Sequence, residues 1–334
     1  YMEKQWTQPG PVLDETGRPN PGYSTHSILR YDRRAIKAPP WRIKEWDYYQ
    51  VSDGSRCLQF TIGHAAYAGM VSVMLFDFQK GEVLAQKEQF LVLPFGSLHM
   101  PEDTETDHVL AYEKKGIDMK FTVKGDIRRL TCRWGDFKAD ILLTRQNPHS
   151  LVINVPFDES PRAFYYNDKI SCMTAEGKVR YGDGEYRFDP SEAFGLLDWG
   201  RGVWPFHNEW YWSSGTGMVD GKIFGFNLGC GFGNNSAATE NILFYGGQAH
   251  KLAEVSFVLG DEYMEPWRLR DTQGRLDLTL TPVYDRTSRT GVLWVDNDCH
   301  QIFGEFTGTA VLDDGTELKI ENVVSFAEHA VNNW

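Results

Sequence analysis

The run Leu197-Asp198-Trp199-Gly200-Arg201-Gly202-Val203-Trp204-Pro205-Phe206-His207-Asn208-Glu209-Trp210-Tyr211-Trp212 sets acids, a base and an arginine among four of the chain's eleven tryptophans. Ionisable groups beside bulky aromatics lose solvation, which disfavours the charged form and moves the pKa. Groups shifted in this way gather at functional sites. On an extended strand alternate side chains share a face. His207, Glu209 and Tyr211 then line one side, and Asn208, Trp210 and Trp212 the other. A histidine two residues from a glutamate can pass a proton or grip one substrate, so Asp198, His207 and Glu209 are the candidate catalytic groups. Arg201, Trp204, Asn208, Trp210, Tyr211 and Trp212 are candidate binding residues. Two glycines flank Arg201 and let backbone approach a ligand closely. Glu240, Asn241 and His250 offer a second wall, and Glu328-His329 a third, although a solvated Glu328 is the simpler reading. The plain alternative is a tryptophan-rich core strand, with Asp198 capping a turn, Glu209 paired to Arg201 and His207 bonded to backbone.

Other chemistries are weakly signalled. Histidines 207, 250, 300 and 329 show neither His-x-His nor His-Glu-x-x-His spacing, so no metal site and no cofactor is expected. The glycine-rich Gly225 to Gly233 follows a strand but opens no helix, which favours a bulge or a close strand crossing over phosphate binding. Five cysteines at 57, 132, 172, 230 and 299 are odd in number and contain no Cys-x-x-Cys. Reduced thiols are therefore expected, with no nucleophilic role for Cys230.

The elements that position these groups read as β throughout. Gly69 to Phe78, Phe90 to Leu93, Lys120 to Val123, Ile141 to Thr144 and Leu151 to Val155 are short and rich in β-branched or aromatic residues. Ile223 to Leu228, Asn241 to Tyr245, Glu254 to Leu259, Leu276 to Thr281, Ile302 to Phe306 and Thr309 to Leu312 repeat the pattern. Hairpin turns are predicted at Lys80-Gly81, Lys115-Gly116, Glu176-Gly177, Asp183-Gly184, Asp220-Gly221 and Asp314-Gly315, where glycine supplies positive φ. Residues 1–45, rich in Pro and Gly, read as an ordered arm. A break near Asp189-Pro190 divides the rest into a first β domain, 46–190, and a second, 191–334, carrying the tryptophan-rich run. No fixed repeat points to a propeller or solenoid.

At 334 residues the chain exceeds the usual single core. Its formal net charge of -12 argues against nucleic acid or an anionic membrane as partner. No apolar run approaches the roughly 20 residues of a membrane helix, and the opening residues lack an apolar signal core. The expectation is a cytoplasmic protein with a small-molecule ligand; its oligomeric state is left open.

Several motifs together resemble one family of bacterial proteins, domain of unknown function 2804. They are Gly17-Arg18-Pro19-Asn20-Pro21-Gly22-Tyr23, Trp46-Asp47-Tyr48-Tyr49, the central run from Leu197, Thr239-Glu240-Asn241 and Ala327-Glu328-His329. That family is distantly similar to the carotenoid hydratase superfamily, which adds water across an isoprenoid double bond. The resemblance implies an all-β fold of two packed lipocalin-like antiparallel barrels or sandwiches. Asp198 and Glu209-Trp210 match the fragment shared with that superfamily, at longer spacing. The functional expectation is an acid–base enzyme of hydratase, lyase or isomerase type working in an aromatic cavity. A glycosidase or carbohydrate lyase using Asp198 and Glu209 as paired carboxylates is one alternative. A non-catalytic carrier of an apolar ligand is the other.

Overall fold

A computed structural model describes residues 3–65, 68–92, 94–292 and 295–333. Leu93, the end of one expected strand, lies outside them. Two large antiparallel sheets dominate, one of thirteen strands and one of nine, and no α-helix occurs among the described residues. In the first sheet Lys44–Ser52 lies between Arg56–Ala65 and Phe194–Val203, and Phe194–Val203 pairs in turn with the long Ser160–Tyr181. The second sheet starts with His207–Val219, which pairs with Lys222–Cys230 and with the last strand, Glu317–Asn333. The final strands thus return to the first and curl the sheet.

Each curled sheet wraps its own core. Leu58, Phe60, Ile62, Phe121, Ile141, Leu197 and Trp199 belong to the first, and Phe224, Phe226, Trp267, Leu278, Ile302 and Phe306 to the second. A third apolar layer joins the sheets, with Phe76, Phe78, Leu196, Trp212, Phe303 and Phe326 packed together. Polypeptide with apolar side chains on both faces must be covered on both. Phe194–Val203 meets that condition: it is buried along nearly its whole length.

The hairpin turns at Lys115-Gly116 and Asp220-Gly221 form as the sequence predicts, all four residues having positive φ. Glu176-Gly177 is not a turn. It lies inside Ser160–Tyr181, where Gly177 has φ 141° and a Cβ would stand 2.1 Å from the carbonyl oxygen of Asp140. The glycine there permits a close backbone approach instead of a reversal. Gly225 marks a close crossing between the sheets, because a Cβ would meet Cys172 Sγ at 2.3 Å.

The boundary between sheets falls later than the Asp189-Pro190 break read from sequence. Phe194–Val203 pairs on both edges within the first sheet, and the change of sheet comes across Trp204-Pro205-Phe206. The tryptophan-rich run is therefore divided between the two sheets.

Residues 3–43 precede the first long strand and contact both sheets. Gly22–Ser24 adds to the strand Leu151–Phe157, and Arg42 Nη2 donates to the carbonyl of Trp204 at 2.9 Å. At its start Glu3 reaches the second sheet, where Lys251 Nζ lies 2.9 Å from its carboxylate.

Candidate functional site between the sheets

Alternation along Phe194–Val203 sends Trp199 and Arg201 into the first core and Asp198 toward the second sheet. Directly opposite Asp198 on the neighbouring strand stands Lys169. Its Nζ is 3.1 Å from Asp198 Oδ1 and 3.6 Å from Glu240 Oε2, the latter contributed by the second sheet's side. Asn167 Nδ2 donates to the same Asp198 oxygen at 2.6 Å and also lies 2.6 Å from the hydroxyl of Tyr165. The Lys169 ammonium sits 4.1 Å from the ring centre of Trp212, a cation–π contact in a water-poor setting.

A third carboxyl joins from the last strand. Glu328 is buried and accepts from Trp210 Nε1 at 2.8 Å and Gln301 Nε2 at 3.1 Å. Gln59 of the first sheet donates to Gln301 Oε1 at 2.7 Å, so an amide pair ties the sheets together beside the acids. Trp212 Nε1 donates to Asn227 Oδ1, and Asn227 in turn holds the Glu240 backbone carbonyl. An aromatic wall of Trp204, Tyr165, Phe232 and Trp210 closes one flank through edge-on contacts.

Burial raises the pKa of Glu240, against the opposing pull of Lys169, and the charge of Asp198 raises it further. Burial likewise raises Glu328, although the Trp210 bond and the charge of Arg286 counter it. Lys169 and Lys251 oppose the rise of Glu240, and Arg286 and Lys169 that of Glu328, so burial outweighs the nearby cations at both carboxyls.

The sequence candidates divide sharply. Asp198, Trp210, Trp212 and Glu240 converge between the sheets. His207 and Glu209 do not: both are exposed, on the opposite face of their strand. His207 Nδ1 pairs with Asn333 Oδ1 at 2.9 Å, and Glu209 Oε1 lies 2.7 Å from His329 Nε2. The alternation was read correctly, and the face that meets the first sheet is the one carrying Trp210 and Trp212. Trp210 and Trp212 have the most apolar area to bury, and they take the face against the first sheet. Tyr211 stacks on His329 and so shares the outer set. With Glu209 outside, the Asp198–Glu209 pair that a glycosidase would need is absent.

Arg201 is fully buried and structural, donating to Asp47 Oδ1 at 2.9 Å and to the carbonyls of Trp46 and Pro101. The glycines beside it admit protein and not ligand. A Cβ at Gly200 would strike the Trp46 ring at 2.4 Å, and one at Gly202 the Phe164 carbonyl oxygen at 2.2 Å. Asn208 bonds Asn332, Asn241 bridges the Gly229 amide and the Ala253 carbonyl, and His250 pairs with Asp313. These three support the scaffold. Trp204 contributes to the aromatic wall.

Sequence reasoning missed Lys169, Asn167, Gln59, Gln301 and Arg286, and took Glu328 for solvated. A lysine inside the apolar-flanked Tyr165-Tyr166-Asn167-Asp168-Lys169-Ile170 was the available signal. Burial raises the thiols of Cys132, Cys172 and Cys230 to about 12, which leaves them poor nucleophiles. Among the described residues no group of three or more His, Cys, Asp or Glu is arranged to hold a metal ion, and no helix is long and apolar enough to cross a membrane.

Two curled antiparallel sheets with ionisable groups between them define a protein of two lipocalin-like domains. The chain belongs to the family described as domain of unknown function 2804, which matches residues 3–334. No protein of curated function matches it in sequence. Solved structures share the fold at low identity. An AttH-type protein from Nitrosomonas europaea aligns with TM-score 0.53 and 14% identity over 86% of this chain and 92% of its own. CghA with Sch210972 aligns at 0.56 and 12%, covering 96% of each chain. Kievitone hydratase from Nectria haematococca aligns at 0.53 and 8%, over 86% of this chain and 88% of its own.

Proposed function

We propose that this protein is an enzyme of hydratase or isomerase type, acting by acid–base catalysis on a small, largely apolar molecule held between the two sheets. The observation that carries the reading is the Asp198–Lys169–Glu240 cluster, three ionisable groups buried in contact beneath Trp212. A pure carrier of an apolar ligand needs a dry lining of Trp and Phe, and burying these charges in one would only cost stability. That a fold neighbour is named a hydratase agrees with the reading.

In this mechanism Glu240, whose pKa burial raises, donates a proton to a substrate carbon or oxygen. Asp198, held by Asn167 and Lys169, takes a proton from water or from the substrate. Lys169 contacts both carboxyls, which perform opposite roles in one site. Trp210 and the ring faces around it stabilise positive charge developing on an apolar substrate. Each proton-transfer group is expected to contribute about 10²–10⁴-fold. Access is through the cleft lined by Gln50, Leu196, Thr216, Val324 and Ser325, whose volume of about 20 Å³ holds little more than a water. The sheets must part there to admit substrate.

The test begins with a thermal-shift screen of unsaturated phenols and isoprenoids. Hits are then incubated in deuterated water and followed for deuterium incorporation by mass spectrometry. Exchange or addition lost in Glu240→Gln and Asp198→Asn supports the enzyme. Ligands that bind tightly yet never exchange, in wild type as in the variants, make the protein a carrier.

A further inference from the structure

The connection 94–107, between the strands Glu82–Val92 and His108–Lys114, folds inward over one end of the first core. Leu98, Met100 and Thr104 are buried. Two buried arginines hold it by its backbone: Arg201 Nη2 donates to the Pro101 carbonyl and Arg128 Nη2 to that of Thr104, each at 2.8 Å. The two arginines differ in compensation. Arg201 has Asp47 at 2.9 Å and Glu45 at 3.7 Å. Arg128 is 0% exposed, and its Nε and Nη1 have no hydrogen-bond partner. Among the described residues no carboxylate pairs with it. In the same network Asp168 accepts through Oδ2 from the Thr104 hydroxyl at 2.6 Å. Burial raises its pKa, and Ser150 and Thr104 work against that rise.

A guanidinium out of water with no counter-charge is costly even after relaxation. One uncompensated positive charge calls for one negative charge. We propose that Arg128 anchors a second binding site, separate from the inter-sheet cluster, which takes a small organic carboxylate beneath the 94–107 connection. A monoanion balances Arg128, whereas a phosphate dianion would leave a buried excess. The groups packed beside Arg128 are buried and largely apolar, which suits an apolar body: the Tyr49 hydroxyl interacts with the guanidinium, and its ring packs edge-on to Phe121, with ring centres 5.0 Å apart. Entry requires the Thr104 carbonyl to move aside, and the bond it accepts from Arg128 is replaced by one to the incoming carboxylate.

Benzoate is the probe, with benzamide as its neutral match, both titrated at fixed ionic strength. The melting temperature should climb with the logarithm of benzoate concentration and stay flat in benzamide. Hydrogen exchange should change at 94–107 and at Ile127–Trp134. Arg128→Met should remove the benzoate effect. The wild-type data decide the matter even where that variant does not fold. Equal responses to benzoate and benzamide, a response to chloride alone, or no response would overturn the proposal. So would exchange changes confined to the strands around Lys169 and Glu240, which would assign benzoate to the inter-sheet site instead.

Discussion

Lys169 and Asp198 stand opposite one another in register on adjacent strands of the first sheet, their charged atoms 3.1 Å apart, and both face the second sheet. The pair thus fixes a carboxylate in the seam between two sheets while belonging to only one of them. Removing the lysine leaves Asp198 and Glu240 buried without their shared cation. Lys169→Met is expected to cost about 3–5 kcal/mol in urea unfolding. Adding Asp198→Asn should recover part of that loss, and a double-mutant cycle with no coupling would contradict the ion pair.

Stability should fall with rising pH through the raised carboxyls. A folded-state pKa above the ordinary 4.5 means that the native state holds its proton more tightly than the unfolded chain. Glu240 and Glu328 therefore stabilise fully below about 4.5, and lose that contribution as pH rises through their folded values. Glu240→Gln should flatten this part of the stability–pH curve, measured by denaturant midpoint between pH 4 and 8.

Glu45 predicts the opposite slope at lower pH. Burial alone would raise its pKa, but His64, Arg201 and Arg33 together bring it down to about 2. Its contribution is complete above 4.5 and is lost as pH falls toward about 2. By the linkage of pKa to free energy that is on the order of 3 kcal/mol. Glu45→Gln should be markedly destabilised at pH 7 and show a weaker acid dependence than wild type.

Gly200→Ala is expected to lower the melting temperature. The new methyl would lie 2.4 Å from the Trp46 ring in a fully buried strand, and overpacking of this kind costs about 1–3 kcal/mol. A fully stable variant would show that Trp46 can rotate away.

The two faces of one strand should respond differently to substitution. Glu209, whose side chain is 48% exposed, and His207 lie outside the seam. Glu209→Gln and His207→Ala should change stability by no more than about 1 kcal/mol and leave turnover near wild type. A hundredfold loss on Glu209→Gln would move the chemistry to the outer face, where Tyr263, His329 and Glu209 form a hydrogen-bonded chain.

Local pattern was sufficient for the all-β architecture. Turn glycines at Gly116 and Gly221 and alternating apolar strands act within a few residues, so the sequence carries them directly. That Asp198, Trp210 and Trp212 lie together between the sheets was partly legible, because few arrangements bury so many tryptophans beside charges. Strand alternation correctly separated His207 and Glu209 from Trp210. It left open which side meets the other sheet, because that depends on what lies across the seam. Lys169, Glu240 and Glu328 are 29, 42 and 130 positions from Asp198 in the chain, roughly beyond any local period. Strand pairing within the first sheet sets Lys169 opposite Asp198, and only the packing of one curled sheet on another adds Glu240 and Glu328. The same packing desolvates those two carboxyls and raises their pKa, because pKa depends on surroundings that no short stretch of sequence contains.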